Sequence, residues 1–357
     1  MNRTRTWEPK VSAVVPMRNE EKYIARCLAA LVAQDYPAEL LEILVVDGMS
    51  DDQSAEVVSE WAKQYPNIRL LVNEKRQTPA GLNVGILAAQ GEVIARIDAH
   101  CEIEPDYISQ CVRYLEQTGA DNVGGLMRPV GDTYWGQAIA LSTSTPFGVG
   151  DSRFHYSEKE QFVDTVYMGA FRRDVFDRIG LFDESLVRNQ DYELNYRLRA
   201  AGGRIFCTPA IKSRYHPRPS LRALWQQYFQ YGFWKSRVIR LHPSSTRWRH
   251  LAAPMFVLAA AGSALLACVY PGSHGGLGNH GGLPLLAGTL GAYGAVSLGF
   301  SALLASRHGW KYLLGLPVTF AIIHISWGLG FWWGWIRFGL RGGREEVKPN
   351  LAGLGDL

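Results

Sequence analysis

Three long uncharged stretches near the end of the chain constrain its fold most strongly. They cover Leu251–Tyr270, Leu283–Ala305 and Tyr312–Ile336, and each is close to the roughly 20 residues that an α-helix needs to cross a bilayer. Tryptophan and tyrosine residues near their ends resemble the aromatic anchors found at membrane surfaces. We therefore expect a membrane-attached protein with about three transmembrane or re-entrant helices between residues 251 and 336.

The charges are divided unequally between the two halves of the 357-residue chain. Residues 1–193 hold 30 acidic and 19 basic side chains, a net charge of −11, whereas residues 194–357 hold 3 acidic and 18 basic side chains, a net charge of +15. Residues 211–250 carry nine Lys and Arg, no acid, and interleaved aromatic residues. This composition favours a segment lying on an anionic membrane surface. Nucleic acid is the competing partner for a basic aromatic stretch, but the adjacent apolar spans argue against it.

The first 126 residues alternate between strand-like and helix-like patterns. The apolar runs that read as buried strands are residues 11–16, 42–47, 68–72 and 93–98. Asn19, and Ser50 together with Gln53, are predicted to cap the first two helices. Strands separated by helices indicate βαβ units and an α/β fold with a mostly parallel sheet, and ligands bind such sheets at the carboxyl ends of the strands.

The five cysteines show no CxxC pair and no zinc spacing. We interpret them as core residues in a reducing compartment. No apolar signal segment precedes the first strand-like run. The first half is therefore expected to lie in the cytoplasm.

The fourth strand ends in Asp98 and is followed two residues later by His100. The sequence has neither a GxxxxGK[ST] loop nor a GxGxxG fingerprint, so a phosphate ligand would need a divalent cation held by carboxylates. Asp98 is the natural ligand for Mg²⁺ or Mn²⁺. Considered alone, it is equally compatible with a turn acid that caps the helix after Pro105.

Four segments in this order carry a family resemblance: VVPMRNE, VVDGMSDDQS, TPAGLNVGILAAQGEVIARIDAH and NQDYELNYRLRAAGG. Together they resemble the family 2 glycosyltransferases, which are inverting nucleotide-sugar enzymes with a GT-A fold. The similarity is greatest to the succinoglycan-type exopolysaccharide glucosyltransferases and covers about residues 10–240. It implies a UDP-sugar donor and a divalent metal cofactor, Mn²⁺ or Mg²⁺.

The resemblance also assigns roles to residues at the strand ends. It places the nucleoside and diphosphate against Pro16, Asn19, Glu20, Asp47, Arg76 and Asn83. Asp98 becomes the metal and diphosphate ligand, and His100 stands where the family usually has a second acid. An imidazole at that position favours Mn²⁺ over Mg²⁺. His216, in SRYHPRP, matches a further residue that reaches toward the metal or diphosphate.

An inverting transfer needs a base that takes the proton of the acceptor hydroxyl. By resemblance, Asp191 in NQDYELNYRLR occupies the base position and Glu193 that of a second acid. Read without the family, both are first-turn acids that complement a helix dipole. The segment QYGFWK resembles the Gln-x-x-Arg-Trp signature of processive synthases, with Phe233 in place of the arginine. It makes Gln230, Trp234 and Lys235 candidates for substrate contact and argues against long-chain synthesis.

These observations predict a hexosyltransferase that moves glucose from UDP-glucose to a lipid-linked saccharide in exopolysaccharide or cell-envelope glycan synthesis. A polyprenyl-phosphate sugar synthase is the alternative enzyme, and a non-catalytic membrane scaffold is the alternative without catalysis. The expected location is the inner, cytoplasmic membrane, with several membrane passes.

The predicted domains are a cytoplasmic GT-A domain over residues 1–210, a basic aromatic interfacial segment over 211–250, membrane helices over 251–336 and a tail over 337–357. The third apolar stretch leaves two possibilities. A full span would place the basic tail outside, against the positive-inside rule. A break at Pro317 and residues 328–330 would form a re-entrant pair and return the tail to the cytoplasm.

Overall fold

The predicted alternation of strands and helices is present in the computed structural model, which describes residues 7–215, 220–269 and 282–340. The first strands are β1 (Val11–Met17), β2 (Leu41–Asp47), β3 (Ile68–Val72) and β4 (Val93–Arg96). The helices between them are α1 (Ile24–Val32), α2 (Ser54–Gln64) and α3 (Thr78–Ala88), with a short 3-10 helix at Ala38–Leu40. These strands are all parallel and lie in the order β3-β2-β1-β4. This is the arrangement that consecutive βαβ units produce.

The second part of the sheet is mixed. Its strands are β5 (Cys101–Ile103), β6 (Asn122–Pro129), β7 (Gln161–Phe162), β8 (Tyr167–Arg172) and β9 (Ile205–Tyr215). Its helices are α4 (Tyr107–Thr118), α5 (Tyr134–Thr143), α6 (Pro146–Val149), α7 (Asp174–Ile179) and α8 (Gln190–Ala200), with a 3-10 helix at Arg153–His155. The full order is β3-β2-β1-β4-β8-β6-β9-β5, with β7 on β9. Strand β8 is antiparallel to both β4 and β6, so the predicted α/β sheet is present, but it is mixed beyond β4 and not mostly parallel.

Alternate residues of the central strands form the core on the two faces of the sheet. Ala13 and Val15 belong to the apolar cluster that includes α1 and α4, whereas Val14 belongs to the cluster that includes α3 and α8. Helix α3 lies very close to the sheet, because a Cβ atom at Gly85 would lie 2.3 Å from Val14 Cγ1. This packing fixes the strand ends and therefore the loops that leave them.

The capping predictions for the first two helices are wrong. Helix α1 begins at Ile24 without a side-chain cap, and α2 begins at Ser54 without one from Gln53. Asn19 Oδ1 instead accepts a hydrogen bond from the Asp51 N–H at 2.8 Å, and Ser50 Oγ accepts one from the Asn19 N–H at 2.9 Å. These polar residues join the β1 and β2 loops to each other instead of ending helices.

Four helices follow the sheet: α9 (Leu221–Leu241), α10 (Trp248–Val269), α11 (Gly282–His308) and α12 (Gly315–Leu340), with 3-10 helices at Pro243–Ser245 and Trp310–Tyr312. By length and composition, α10, α11 and α12 could each cross a membrane. Helices α10 and α11 form an antiparallel pair in which Phe256 stacks on Tyr293. Much of their apolar surface is exposed.

Two predicted boundaries change in the structure. Strand β9 continues to Tyr215, beyond the predicted domain end at residue 210, because it pairs there with β5 and β6. Helix α12 is continuous from Gly315 to Leu340. The predicted break at Pro317 and residues 328–330 is therefore wrong: the proline lies in the first turn, where it removes no hydrogen bond, and the glycines lie inside the helix.

Candidate active site

Unusual backbone conformations surround the carboxyl ends of the strands. Among the described residues, five that are not glycine have positive φ: Asn19 (55°), Met49 (59°), Arg76 (59°), Met168 (45°) and Asn189 (62°). The first three follow β1, β2 and β3, the fourth lies in β8, and the last precedes α8. Such conformations cost energy and persist where surrounding contacts impose them, commonly at functional sites. They mark the predicted ligand-binding edge of the sheet.

The loops after β1 and β2 form a fixed polar rim. Asp47 is buried, and its Oδ1 accepts a hydrogen bond from Ser50 Oγ at 2.6 Å. The same hydroxyl accepts the bond from the Asn19 N–H, so one serine connects the two strand ends. Glu20 joins this rim through its own N–H, which donates to Ser54 Oγ at 2.7 Å. Pro16 lies in β1 opposite Val46, at the base of the rim.

The guanidinium of Arg96, two residues earlier in the chain, binds the carboxylate of Asp98. Its Oδ1 accepts hydrogen bonds from Arg96 Nε at 3.0 Å and from Arg96 Nη2 at 2.8 Å. Burial alone would raise the pKa of Asp98, but Arg96, His100 and a hydrogen bond from Tyr167 hold it below its usual range. Asp98 is therefore an ionised carboxylate at the sheet edge.

Asp191 reaches the same arginine from the opposite side. It lies in the first turn of α8 and forms an ion pair with Arg96 Nη1, while 37% of its side chain stays exposed. Burial disfavours the charge of Arg96, but Asp191 and Asp98 outweigh this effect and raise its pKa above the ordinary value. One buried guanidinium thus joins the predicted metal ligand to the predicted base.

Arg96 is the residue that sequence reasoning missed. It lies two positions before Asp98 in an extended segment, and residues at i and i+2 of a strand point to the same face. A buried arginine in an otherwise apolar run, with an acid at that spacing, was the available signal. The partner on α8 could not be read from this spacing because it lies 95 residues away.

The donors at the strand ends fit a divalent cation whose remaining ligands come from a diphosphate and water. Asp98 offers a carboxylate, and His100 Nδ1 lies 3.1 Å from Glu20 Oε1. No group of three His, Cys, Asp or Glu that could form a metal cage occurs within residues 7–215, 220–269 and 282–340. An open site with one or two protein ligands is typical of Mg²⁺ bound to phosphates, and a mixed oxygen and nitrogen set suits Mn²⁺. His216 lies outside the described residues.

Two further donor-site candidates differ in their surroundings. Arg76 is exposed in the loop after β3. Asn83 is buried in α3, where its side-chain amide donates to Phe182 O at 3.0 Å and accepts from the Phe182 N–H at 2.9 Å. Its Nδ2 also lies 3.0 Å from Glu184 Oε1. Asn83 therefore holds the 182–184 loop in this structure, and its contact with base or diphosphate stays a prediction.

Glu193 does not share the position of Asp191. Only 2% of its side chain is exposed, and its oxygens accept bonds from Arg197 Nε at 2.7 Å and Arg197 Nη2 at 2.9 Å. His242 Nε2 lies 2.9 Å from the same carboxylate. A carboxylate enclosed in this way is less accessible to an acceptor hydroxyl than the partly exposed Asp191. Asp191 is therefore the better candidate base, and a second-acid role for Glu193 stays a prediction.

Two of the three candidate residues in the QYGFWK segment are buried. Trp234 is 5% exposed and packs against Tyr192 and Phe338, which leaves no free ring face for a sugar. Lys235 is 3% exposed, and its Nζ lies 3.3 Å from the centre of the Tyr192 ring. Burial, followed by the nearby Arg249, lowers the pKa of Lys235 well below its ordinary value. Gln230 accepts a hydrogen bond from Arg188 Nε at 3.2 Å, close to the start of α8.

Comparisons with known proteins show which family this chain resembles. Residues 12–180 match the family model described as Glycosyl transferase family 2. A dolichyl N-acetyl-alpha-D-glucosaminyl phosphate 3-beta-D-2,3-diacetamido-2,3-dideoxy-beta-D-glucuronosyltransferase from Methanococcus voltae is 30% identical over 256 residues, covering 70% of this chain and 79% of that protein. The succinoglycan biosynthesis protein ExoA of Rhizobium meliloti is 29% identical over 321 residues, covering 89% of this chain and 93% of that protein.

The fold is also similar to that of a solved glycosyltransferase. Mannosyltransferase PcManGT from Pyrobaculum calidifontis, in complex with GDP-Man and Mn²⁺, superposes with a TM-score of 0.60 and 22% sequence identity. The match covers 92% of this chain and 88% of that one. The predicted family and fold are both confirmed: the chain belongs to the family 2 glycosyltransferases.

Proposed function

We propose that this enzyme is a membrane-associated inverting hexosyltransferase that transfers glucose from UDP-glucose to a lipid-linked saccharide. The product would enter exopolysaccharide or cell-envelope glycan synthesis. The catalytic domain would lie in the cytoplasm, against the inner membrane. The donor sugar follows from the resemblance to succinoglycan-type glucosyltransferases.

The single observation that carries the proposal is the shared contact of Asp98 and Asp191 with Arg96. Asp98 lies at the strand ends, where nucleotides bind in α/β sheets, and 14% of its side chain is exposed. Asp191 approaches from α8 and is more accessible. The two carboxylates contact one cation, which supports assigning Asp98 to the donor and Asp191 to the acceptor.

The proposed step uses Asp191 as the general base. Asp191 takes the proton of the acceptor hydroxyl while that oxygen forms a bond to the anomeric carbon of the donor. The bond between the anomeric carbon and the diphosphate oxygen breaks on the opposite face, and its electron pair leaves with UDP. Attack opposite to the leaving group inverts the anomeric configuration. Arg96 orients both carboxylates before the substrates meet.

A divalent cation fits the donor side of this arrangement. Asp98 would hold it, with His100 as the second candidate ligand and His216 as a third from the family resemblance. When bound, the cation would neutralise charge that develops on the leaving diphosphate. Asp47, Asn19 and the exposed Arg76 would bound the nucleoside.

The relatives support a saccharide acceptor attached to a lipid. The name of the Methanococcus voltae relative describes transfer to a dolichyl-phosphate-linked sugar, and ExoA is named for succinoglycan biosynthesis. ExoA also matches this chain along most of both sequences, including the helices after the sheet. A saccharide acceptor is thus favoured over bare polyprenyl phosphate.

The proposal is tested with membranes that contain the full chain. Radiolabelled UDP-glucose is supplied with Mn²⁺ and either a synthetic polyprenyl-diphosphate monosaccharide or bare polyprenyl phosphate, and Asp98→Asn membranes provide the blank. We expect label on the polyprenyl-diphosphate saccharide, loss of transfer with EDTA, and an inverted anomeric centre by NMR. Transfer to bare polyprenyl phosphate alone would instead establish a polyprenyl-phosphate sugar synthase. A panel of UDP-sugars and GDP-sugars checks the donor, and no turnover of any of them would contradict the proposed activity.

A further inference from the structure

Helix α12 contacts the catalytic domain at its N-terminal end. Leu316 and Phe320 share an apolar cluster with Ala138 of α5. Just before the helix, the Lys311 carbonyl oxygen accepts a hydrogen bond from the hydroxyl of Tyr134, also in α5, at 3.0 Å. The first turns of α12 are therefore fixed to the glycosyltransferase domain.

The middle of α12 keeps this contact. Ile323 is fully buried with Ile139 of α5 and Leu224 of α9. His324 Nε2 lies 2.8 Å from the Phe147 carbonyl oxygen of α6. The helix thus runs along the catalytic domain and does not leave it after its first turns.

The C-terminal end of α12 contacts the same domain again. Phe338 is buried in a cluster with Leu186 and Tyr192, where Tyr192 follows the candidate base in α8. Trp234 of α9 completes the contact. Both ends of a 26-residue helix therefore lie against one soluble domain.

This geometry conflicts with a membrane crossing. A transmembrane helix separates its two ends by the hydrocarbon thickness of about 30 Å. A charged α/β domain that contacts both ends would then have to extend through the bilayer. We propose that α12 lies along the membrane surface as a strap across the catalytic domain, and that only α10 and α11 cross the membrane.

The outer face of α12 identifies the bilayer as the partner of this strap. Its exposed large apolar residues are Val318 (40%), Leu329 (40%), Trp333 (53%), Trp335 (38%), Ile336 (52%) and Leu340 (82%). At about 100° per residue, all of these except Trp335 fall within about 60° of one another on the helix, and Trp335 lies about 100° to one side of them. The opposite face holds the protein contacts. Such a one-sided apolar stripe with tryptophan suits the headgroup and acyl boundary of one leaflet.

The charges agree with this topology. Two crossings by α10 and α11 return the chain to the side from which it started. Three cations then share the side of the catalytic domain. They are Arg307 in the last turn of α11, Lys311 in the 3-10 helix that follows, and Arg337 near the end of α12. Cations on the cytoplasmic side are what the positive-inside rule requires. A surface position of α12 keeps Arg337 on the side of the catalytic domain, as the predicted re-entrant pair would have done, but with a continuous helix.

The proposal is tested by labelling single cysteines in the otherwise intact chain. Cys268 is exposed and the other described cysteines are buried, so Cys268→Ala provides the background. Leu314→Cys precedes α12 at a position that is 79% exposed, and Gly342→Cys follows the last residue of α12 in the sequence. Leu87→Cys marks the catalytic domain, and Leu283→Cys marks the far end of the membrane hairpin. A membrane-impermeant maleimide is applied to inverted membranes and to intact spheroplasts.

We expect the variants at residues 87, 314 and 342 to react only in inverted membranes, and the variant at residue 283 only in spheroplasts. Reaction of Gly342→Cys only in spheroplasts would overturn the proposal, because α12 would then cross. A reporter fused after residue 357 provides a second measurement without substitutions in the helix. A fused fluorescent protein should be bright and a fused alkaline phosphatase inactive, and the reverse pattern would also overturn it.

Discussion

The sheet edge that carries the active site and the face between α9 and α12 are built in opposite ways. At the sheet edge, polar side chains join loops to one another, and charged groups such as Asp191 remain partly exposed. At the helix face, backbones meet directly: a Cβ atom at Gly330 would lie 2.0 Å from the Phe229 carbonyl oxygen. Catalysis and the packing of α12 on α9 therefore depend on separate residues. Substitutions should therefore affect turnover at one region and stability at the other.

The largest effect is expected at Asp98. Asp98→Asn removes the charge that faces the diphosphate and leaves Arg96 with a weaker partner. We expect transfer to fall by at least about 10³-fold, on the scale of losing a preorganised electrostatic group, together with weaker nucleotide binding in the presence of Mn²⁺. Nucleotide affinity measured across a Mn²⁺ titration checks this. Affinity equal to that of the unsubstituted enzyme would remove Asp98 from the donor site.

Arg96 should rank next because it connects the two carboxylates. Arg96→Met leaves Asp98 and Asp191 without their common cation, and we expect transfer to fall by about 10²-fold, in line with misplacement of reacting groups. Arg96→Lys keeps the charge but cannot bond both carboxylates with a planar group, so recovery should be partial. Comparison of kcat and KM for both variants checks this. Full activity in Arg96→Lys would mean that charge alone suffices and that the shared geometry is unimportant.

The helix face should respond through stability. Gly330→Ala places a methyl group against the α9 backbone, and overpacking of this kind typically costs about 1–3 kcal/mol. We expect faster thermal inactivation in detergent, with unchanged KM for the donor in the surviving enzyme. Gly288→Ala is the matched control, since the space around Gly288 in α11 is open. Equal inactivation rates for the two variants would contradict the close contact of α9 and α12.

The smallest effect is expected at His100. His100→Asp exchanges a nitrogen donor for a hard oxygen donor, which should move the metal preference from Mn²⁺ toward Mg²⁺ by a modest factor of about 3–10. Transfer rates at matched concentrations of each metal check this. An unchanged ratio would make His100 a partner of Glu20 and not a metal ligand.

The contrast between the sheet edge and the face between α9 and α12 also separates what the sequence could predict from what it could not. The strand-end positions of Asp98, Asp47 and Asn19 follow from local patterns, because the apolar runs that mark strands are only a few residues long. Arg96 could also have been found, from its spacing to Asp98 along an extended strand.

The failures concern contacts between residues far apart in the chain. Glu193 and Lys235 read as accessible polar residues, but α8 packs against the helices that follow the sheet and buries both. Length and hydropathy likewise do not distinguish a lipid-facing helix from one packed against protein, so the sequence could not show the contacts of α12 with the catalytic domain. The contacts of Phe320 and Phe338 are among those that support the surface position that we propose for α12.

The central claim is that Asp191 acts on the acceptor and takes no part in holding the donor. Asp191→Asn should keep donor and Mn²⁺ affinity and thermal stability nearly unchanged, while transfer falls by about 10²–10⁴-fold, the scale of a lost general base. Asp177→Asn, an exposed acid on α7, is the matched control and should retain full transfer. Donor affinity, thermal stability and transfer rate are measured on the same preparations. A folded, donor-binding Asp191→Asn enzyme that keeps more than about a tenth of normal transfer would contradict the assignment of the base.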